Sequence, residues 1–203
     1  MANPTITKCL IGEARMNFAR VFEPESFDDK SEAKYSVVLS FPKTDKDLYK
    51  KIQKAIDECV EKAKARHGGT LPRKFSIIEI KDGEDWDPKY NLEDFYTIKA
   101  TSSFKPEVVK KATVMGKVQL VPITDEDEFY SGCYGYASVA FYEFGGEKSP
   151  NKGITCALNN LLKSRDGERL GEGTGSAESD FAGVIDDIED PFEDDLPEGD
   201  DVY

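Results

Sequence analysis

The chain has 203 residues, with 40 Asp and Glu against 27 Lys and Arg, a formal charge of −13, and one histidine. No apolar run approaches the roughly 20 residues of a membrane-spanning helix, and the opening Met1-Ala2-Asn3-Pro4-Thr5 has no charged segment leading into an apolar one, as a signal peptide would. Cys9, Cys59, Cys133 and Cys156 are far apart, without a Cys-x-x-Cys pair, so with His67 alone a zinc site is set aside and free thiols in a reducing compartment are expected.

Charge divides the chain. Residues 172–203 hold 13 carboxylates and no Lys or Arg, so residues 1–171 carry 27 charges of each sign and are neutral. Residues 1–171 read as one domain, large enough to bury about two-thirds of its unfolded surface. Residues 172–203 read as a disordered acidic tail, too poor in aliphatics to offset its ordering entropy. Such a tail guards a basic groove or recruits partners, or it simply keeps the protein soluble.

In chain order, residues 5–22 read as a strand region with Met16, Phe18, Val21 and Phe22 as apolar contacts. In residues 34–41, Tyr35, Val37, Leu39 and Phe41 alternate with Lys34, Ser36, Val38 and Ser40, the period of a half-buried strand, and Pro42 stops it. Thr44 is the expected N-cap of a helix with Asp45 and Asp47 in its first turn. Leu48, Ile52, Ile56, Cys59, Val60 and Ala63 follow at helical spacing, and His67-Gly68-Gly69 ends the element; its opposite face is mixed in sign and solvated. Further strands are expected at 75–80, 95–101, 114–121, 129–144 and 153–162, with an acidic, turn-rich loop from Asp82 to Pro88 and a glycine-rich hinge from Gly167 to Gly175. The sum is a mainly β, barrel-like domain with one long helix.

Catalytic handles are few. His67 falls at a helix C-terminus, where a histidine caps carbonyls. The clusters Asp82/Glu84/Asp85/Asp87 and Asp125/Glu126/Asp127/Glu128 offer Mg²⁺ ligands for nuclease work, yet neither has a calcium-loop spacing and both read as solvated turns. The glycines of residues 171–175 follow no strand and open no helix, so they do not form a phosphate cradle.

Residues 129–144 are the informative segment. Tyr130, Tyr134, Tyr136, Tyr142 and Phe144 share one parity, and Cys133, Ala137, Val139 and Phe141 share the other, which reads as core. Two explanations stand side by side. Tyrosines on an outer strand face can stack nucleic-acid bases, at about 1–3 kcal/mol each, or they can pair across strands as good strand formers. Gly132 and Gly135 could also bulge the strand and scramble the parity. Nearby cations favour the first. Arg15 and Arg20 flank Phe18, Lys99 and Lys117 fall on outward positions of their strands, and Phe104 adjoins Lys105 in a turn. Aromatics interleaved with cations are the composition of an electrostatic groove for nucleic acid.

Several stretches also resemble a phage-encoded family of single-stranded DNA-binding proteins, formerly a domain of unknown function. They are Val21-Phe22-Glu23-Pro24, Ala33-Lys34-Tyr35-Ser36, Phe129-Tyr130-Ser131-Gly132-Cys133-Tyr134, Asn151-Lys152-Gly153-Ile154, Leu158-Asn159-Asn160, and Arg165-Asp166-Gly167-Glu168 with Leu170-Gly171. The resemblance implies an OB-fold that coats single-stranded DNA in phage replication or recombination, in the cytoplasm of the infected bacterium, with neither enzymatic activity nor a cofactor. A simple OB-fold has its helix after the third strand, whereas here it follows the second clear one. Either the N-terminal region holds two strands or the barrel is elaborated.

On this reading Phe18, Phe104, Tyr130, Tyr134, Tyr136 and Tyr142 stack bases, and Arg15, Arg20, Lys99, Lys105 and Lys117 neutralise phosphates. Within the tail, Asp186-Asp187-Ile188 and Pro191-Phe192 resemble the acidic tip of bacterial single-strand binders, and the chain closes on Asp200-Asp201-Val202-Tyr203. The resemblance implies that Asp186, Asp187, Phe192, Asp200, Asp201 and Tyr203 compete with DNA for the groove and recruit replication or recombination proteins. Membrane partners are not expected, and the oligomeric state, including cooperative multimers on DNA, stays open. Two rival functions remain, a metal-dependent nuclease built on Asp82 to Asp87 and an acidic, DNA-mimicking interaction protein.

Overall fold

In the computed structural model the described residues are 6–26, 32–146, 149 and 151–170. The chain divides into two units, Met1–Leu170 and Gly171–Tyr203, and all described residues belong to the first. The expectations for Asp186, Asp187, Phe192, Asp200, Asp201 and Tyr203 therefore lie outside the described residues.

The elements in chain order are β1 (Ile6–Glu25), β2 (Lys34–Pro42), α1 (Lys46–Arg66), β3 (Phe75–Ile77), β4 (Lys81–Asp82), β5 (Phe95–Ser102), β6 (Glu107–Val114), β7 (Lys117–Pro122), β8 (Tyr134–Phe144) and β9 (Lys152–Arg165). β1 is one long strand that changes partner midway. Ile6 to Arg15 pair with β8, and Arg15 to Glu25 pair with β2. Irregularities in register between Ile11 and Ala14, and again between Asn17 and Arg20, bend it round the barrel. β2 pairs with β5 and β8 with β9, all antiparallel, and a parallel contact between Thr101 and Ala157 joins β5 to β9. The ring β1-β2-β5-β9-β8 is thereby closed into the five-stranded barrel expected of an OB-fold, with no open edge among those strands.

The interior follows from alternation. Ile11, Met16, Leu39, Phe41, Ile98, Ala137, Val139, Phe141 and Leu161 point inward and are buried, whereas their chain neighbours face out. Gly135 also faces in, where a Cβ would meet the Leu162 carbonyl oxygen at 2.3 Å and Met16 Cε at 3.1 Å. α1 packs on β1, β8 and β9 through Leu48, Ile52, Ala55, Ile56, Cys59 and Ala63. Its N-cap is Asp45, one residue beyond the expected Thr44; the Asp45 side chain accepts from the Leu48 amide. At the other end the His67 amide caps Ala63 and Lys64, while its Nε2 lies 2.6 Å from Glu143 Oε1 on β8.

One alternative is settled and three expectations are corrected. The helix follows the second barrel strand because β1 is a single strand, so the barrel is elaborated: a β6–β7 hairpin occupies the connection before β8. Residues 114–121 are not one strand. Met115 and Gly116, with φ of +50° and +75°, turn the chain between β6 and β7. Residues 129–133 precede β8 as a turn; Phe129 is buried, and the Gly132 amide donates to the Met16 carbonyl at 2.7 Å. The strand expected at 75–80 is shorter, ending at Ile77.

Phe141 lies wholly inside the barrel, so Phe141→Ala should cost about 3–5 kcal/mol in equilibrium urea unfolding. A loss below about 1 kcal/mol would mean the barrel interior is not tightly packed. All four cysteines are buried, and burial pushes each thiol above its ordinary pKa. The native protein should resist iodoacetamide at mildly alkaline pH and label at every cysteine once denatured, as mass spectrometry would show.

Candidate nucleic-acid interface

Cross-strand neighbours share a face, and register places a continuous row across the outside of the barrel. Thr97 of β5 pairs with Ser40 of β2, Ser40 with Arg15 of β1, Arg15 with Tyr134 of β8, and Tyr134 with Arg165 of β9. Each is next to an inward residue, so the row faces out. A second row sets Lys99 beside Val38 and Val38 beside Asn17, and a third sets Thr101, Ser36 and Arg20 together.

The floor of this surface is polar yet shielded. Arg15 is 8% exposed and Asn17 1%, and Asn17 Nδ2 donates to Ser40 Oγ. Arg15 Nε and Asn17 Oδ1 are buried without a hydrogen-bond partner among the described residues. Over the β5 end lies the segment from Asp82 to Asn91. Its Trp86 donates from Nε1 to Thr97 Oγ1 at 3.1 Å and stacks on Phe18, with ring centroids 5.4 Å apart and planes 14° from parallel. Tyr90 meets Phe18 edge-on at 4.8 Å, and Lys89 Nζ sits 5.0 Å from the Tyr90 ring centre. Phe18 occupies the bend in β1 with φ +48°, a left-handed conformation unusual for a bulky residue. That bend is what turns its ring toward Trp86.

The acidic loop has a structural task. Lys43 Nζ reaches Asp82 at 2.6 Å and Glu84 at 2.9 Å. These hydrogen bonds raise the lysine's pKa, and the bond from Lys43 holds the Asp82 carboxyl below its usual range. Asp82 also accepts from the Glu84 amide and Asp87 from the Lys89 amide, capping two short 3-10 turns. Among the described residues no group of three His, Cys, Asp or Glu could hold a metal ion.

At the other end of the first row, the Arg165 guanidinium lies 3.5 Å from the Tyr134 ring centre, and Arg165 Nε is 3.4 Å from Glu13. Tyr130 belongs to the turn before β8. Lys163 and Arg169 stand 5.4 Å and 4.3 Å from its ring centre. Its hydroxyl is 3.0 Å from Asp166 Oδ1 and from the Gly167 carbonyl oxygen. Bonds from Lys163 first, then Tyr130, hold the Asp166 carboxyl below its usual range.

The sequence-predicted residues are thus sorted. Arg15, Phe18, Arg20, Lys99 and Tyr134 come together on one outer face, although Arg20 is engaged with Glu25 at 2.8 Å. Tyr136 and Tyr142 face outward as their parity predicts. Tyr142, however, pairs with Ile6 at the far end of β8, about 26 Å along the strand from Tyr134. Phe104 is 84% exposed in the turn after β5, and Lys105 lies 5.8 Å from the Phe22 ring centre. Lys117 stands at the hairpin tip. Sequence reasoning passed over Trp86, Tyr90 and Arg169, and named Arg165 only within a stretch of family resemblance. The signal for the first two was present, since two aromatics, one the sole tryptophan, sit in an otherwise acidic loop.

The surface combines flat rings, guanidinium groups and hydrogen-bonding hydroxyls, a chemistry suited to stacked bases joined by phosphates. The comparisons agree. In bacteriophage Enc34, the single-stranded DNA-binding protein in complex with ssDNA superposes with a TM-score of 0.62 at 28% identity, over 81% of this chain and 90% of that one. A C-terminal truncation of that protein gives 0.60 at 25% identity, over 84% and 95%. Putative protein p50 of Acyrthosiphon pisum secondary endosymbiont phage 1 is 26% identical over 178 residues, covering 84% of this chain and 91% of that protein. The family model described as Enterobacter phage Enc34, ssDNA-binding protein, matches residues 7–195, and the chain belongs to that family.

Proposed function

We propose that this chain binds single-stranded DNA without sequence preference during phage DNA replication or recombination, in the cytoplasm of the infected bacterium. It acts by binding and is not an enzyme. The observation that carries the reading is the outer barrel face, where Phe18, Trp86 and Tyr90 cluster at one end and Tyr134 with Arg165 at the other. Bases stack on the rings irrespective of identity, and Arg15, Lys99 and Arg165 meet phosphates. The carboxylates that a nuclease would need instead pair with Lys43 and cap turns.

The acidic residues 172–203 compete with DNA for this face and, once displaced, recruit replication or recombination proteins. Covalent tethering gives these carboxylates an effective concentration on the order of mM. The competition is strongest at low salt.

Fluorescence anisotropy with a thymidine oligonucleotide of about 20 nucleotides, longer than the ~4–16 covered by one OB-fold, tests both parts. Residues 1–171 should bind more tightly than the full chain at low salt, with the difference shrinking as salt rises. Equal affinity at low salt would remove the competition, and no binding by either would remove the single-strand reading. Because Trp86 is the sole tryptophan, intrinsic fluorescence should change on DNA addition. Trp86→Ala should weaken binding by roughly 5- to 150-fold, the value of one stacked base. Unchanged affinity in that variant would place the bases elsewhere.

A further inference from the structure

The β6–β7 hairpin is the one described element whose surface the barrel leaves unexplained. Its tip residue Met115 is 98% exposed, and Val118 and Leu120 are 63% and 62% exposed. Residues 108–122 contain Lys110, Lys111 and Lys117 and neither Asp nor Glu, in a chain of 40 carboxylates. Apolar side chains left in water mark a contact surface, and the sign of the surrounding charge selects its occupant. A second copy of the same hairpin would bring lysines against lysines, whereas a polyanion would be attracted.

Register fixes where the hairpin points. β6 lies parallel to β9, from Glu107 beside Asn160 to Lys110 beside Lys163, so it runs on toward the level of Arg165 and past it. Arg165 ends the outer row that begins at Thr97. Side chains also line up. Tyr136 pairs with Leu162 and Leu162 with Val109, so Val109, Lys111 and Thr113 continue the outer face of β8. Lys111 then pairs with Leu120, and Thr113 with Val118. The hairpin is a lysine-bearing apolar ribbon that prolongs the outer face beyond the Arg165 end.

We propose that the β6–β7 hairpin is a second DNA contact, which takes up the single strand as it leaves the barrel face past Arg165. Lys111 holds a phosphate, and Met115, Val118 and Leu120 pack against bases. The hairpin thereby sets how many nucleotides one molecule covers. This rests on the single-strand reading above, and it predicts a dependence on DNA length that the barrel face alone does not.

The test compares the full chain with the variant K111A/M115A on thymidine oligonucleotides of about 6 and about 16 nucleotides, within the range of one OB-fold. The short probe should bind both proteins equally. The long probe should bind the variant about tenfold more weakly, and its slope of log affinity against log salt should fall by about 0.7, the value of one phosphate. The charge reversal K111E should widen the long-probe difference, and unchanged thermal melting by circular dichroism would show that both variants fold. Equal long-probe affinity and slope would overturn the inference, as would an equal loss on both probes. A wild-type sedimentation dimer lost in the variant, with DNA binding intact, would also overturn it and assign the ribbon to a second copy. Failure of the wild-type chain to bind either probe would overturn the single-strand reading itself, and this inference with it.

Discussion

The outer face depends on β1 changing partners midway. One strand serves β8 with its first half and β2 with its second, and a flat strand could not follow both. The irregularities at Ile11–Ala14 and Asn17–Arg20 supply the bend. They also set what the bend displays: Arg15 stands where the two pairings meet, and Phe18 is held at φ +48° with its ring against Trp86. Backbone strain of this sort costs of order 1–3 kcal/mol and persists only where the surroundings over-determine it. Here the closed barrel does so, with Met16 buried two residues before Phe18 and Val21 three residues after.

Around that bend, stability and recognition use different materials. Barrel closure rests on buried aliphatics and aromatics from all five strands and α1. The outer face proposed to meet DNA carries cations and rings in short contact with one another. The Lys43 pairs with Asp82 and Glu84 reach into solvent, and exposed ion pairs contribute little to stability. Their service is to keep the Trp86 loop against β5. Arg165 over Tyr134 and Arg169 over Tyr130 similarly preset cations beside rings, so fewer side chains must be ordered when a ligand arrives.

Much of this was legible from pattern. The alternation in residues 34–41, the helical spacing from Leu48 to Ala63 and the inward parity of Ala137, Val139 and Phe141 each found the correct element or face. In the helix and in β8 one side is the more buried and the period therefore strict, whereas β2 is not the half-buried strand expected, since Val38 and Ser40 between its inward residues are covered as well. Phage family membership and the mainly β barrel were legible too. The hairpin was hidden because both its faces are solvated: Lys110-Lys111 interrupts β6, and nothing in β7 forces an alternation. Tyr130 was grouped with Tyr134 by parity, but parity holds only within a strand, and the turn through Gly132 ends it. Trp86 escaped notice because its neighbours are carboxylates, and composition cannot show that two of those carboxylates are bound to a lysine from another strand end.

The pairing of β1 with β8 also dictates how the protein must be made. Ile6 pairs with Tyr142, 136 residues later, and the contact that shuts the barrel joins Thr101 to Ala157. Contacts so distant in sequence make folding slow, because the loop-closure entropy is lost before the pairing is gained. During synthesis at about 5–20 residues per second, the N-terminal half of β1 therefore emerges seconds before the strand that will cover its edge. It is kept from premature association by its own composition, with Lys8, Glu13 and Arg15 interspersed among its apolar residues. Some of the cations later displayed on the barrel thus guard, on the nascent chain, an edge strand still waiting for its partner.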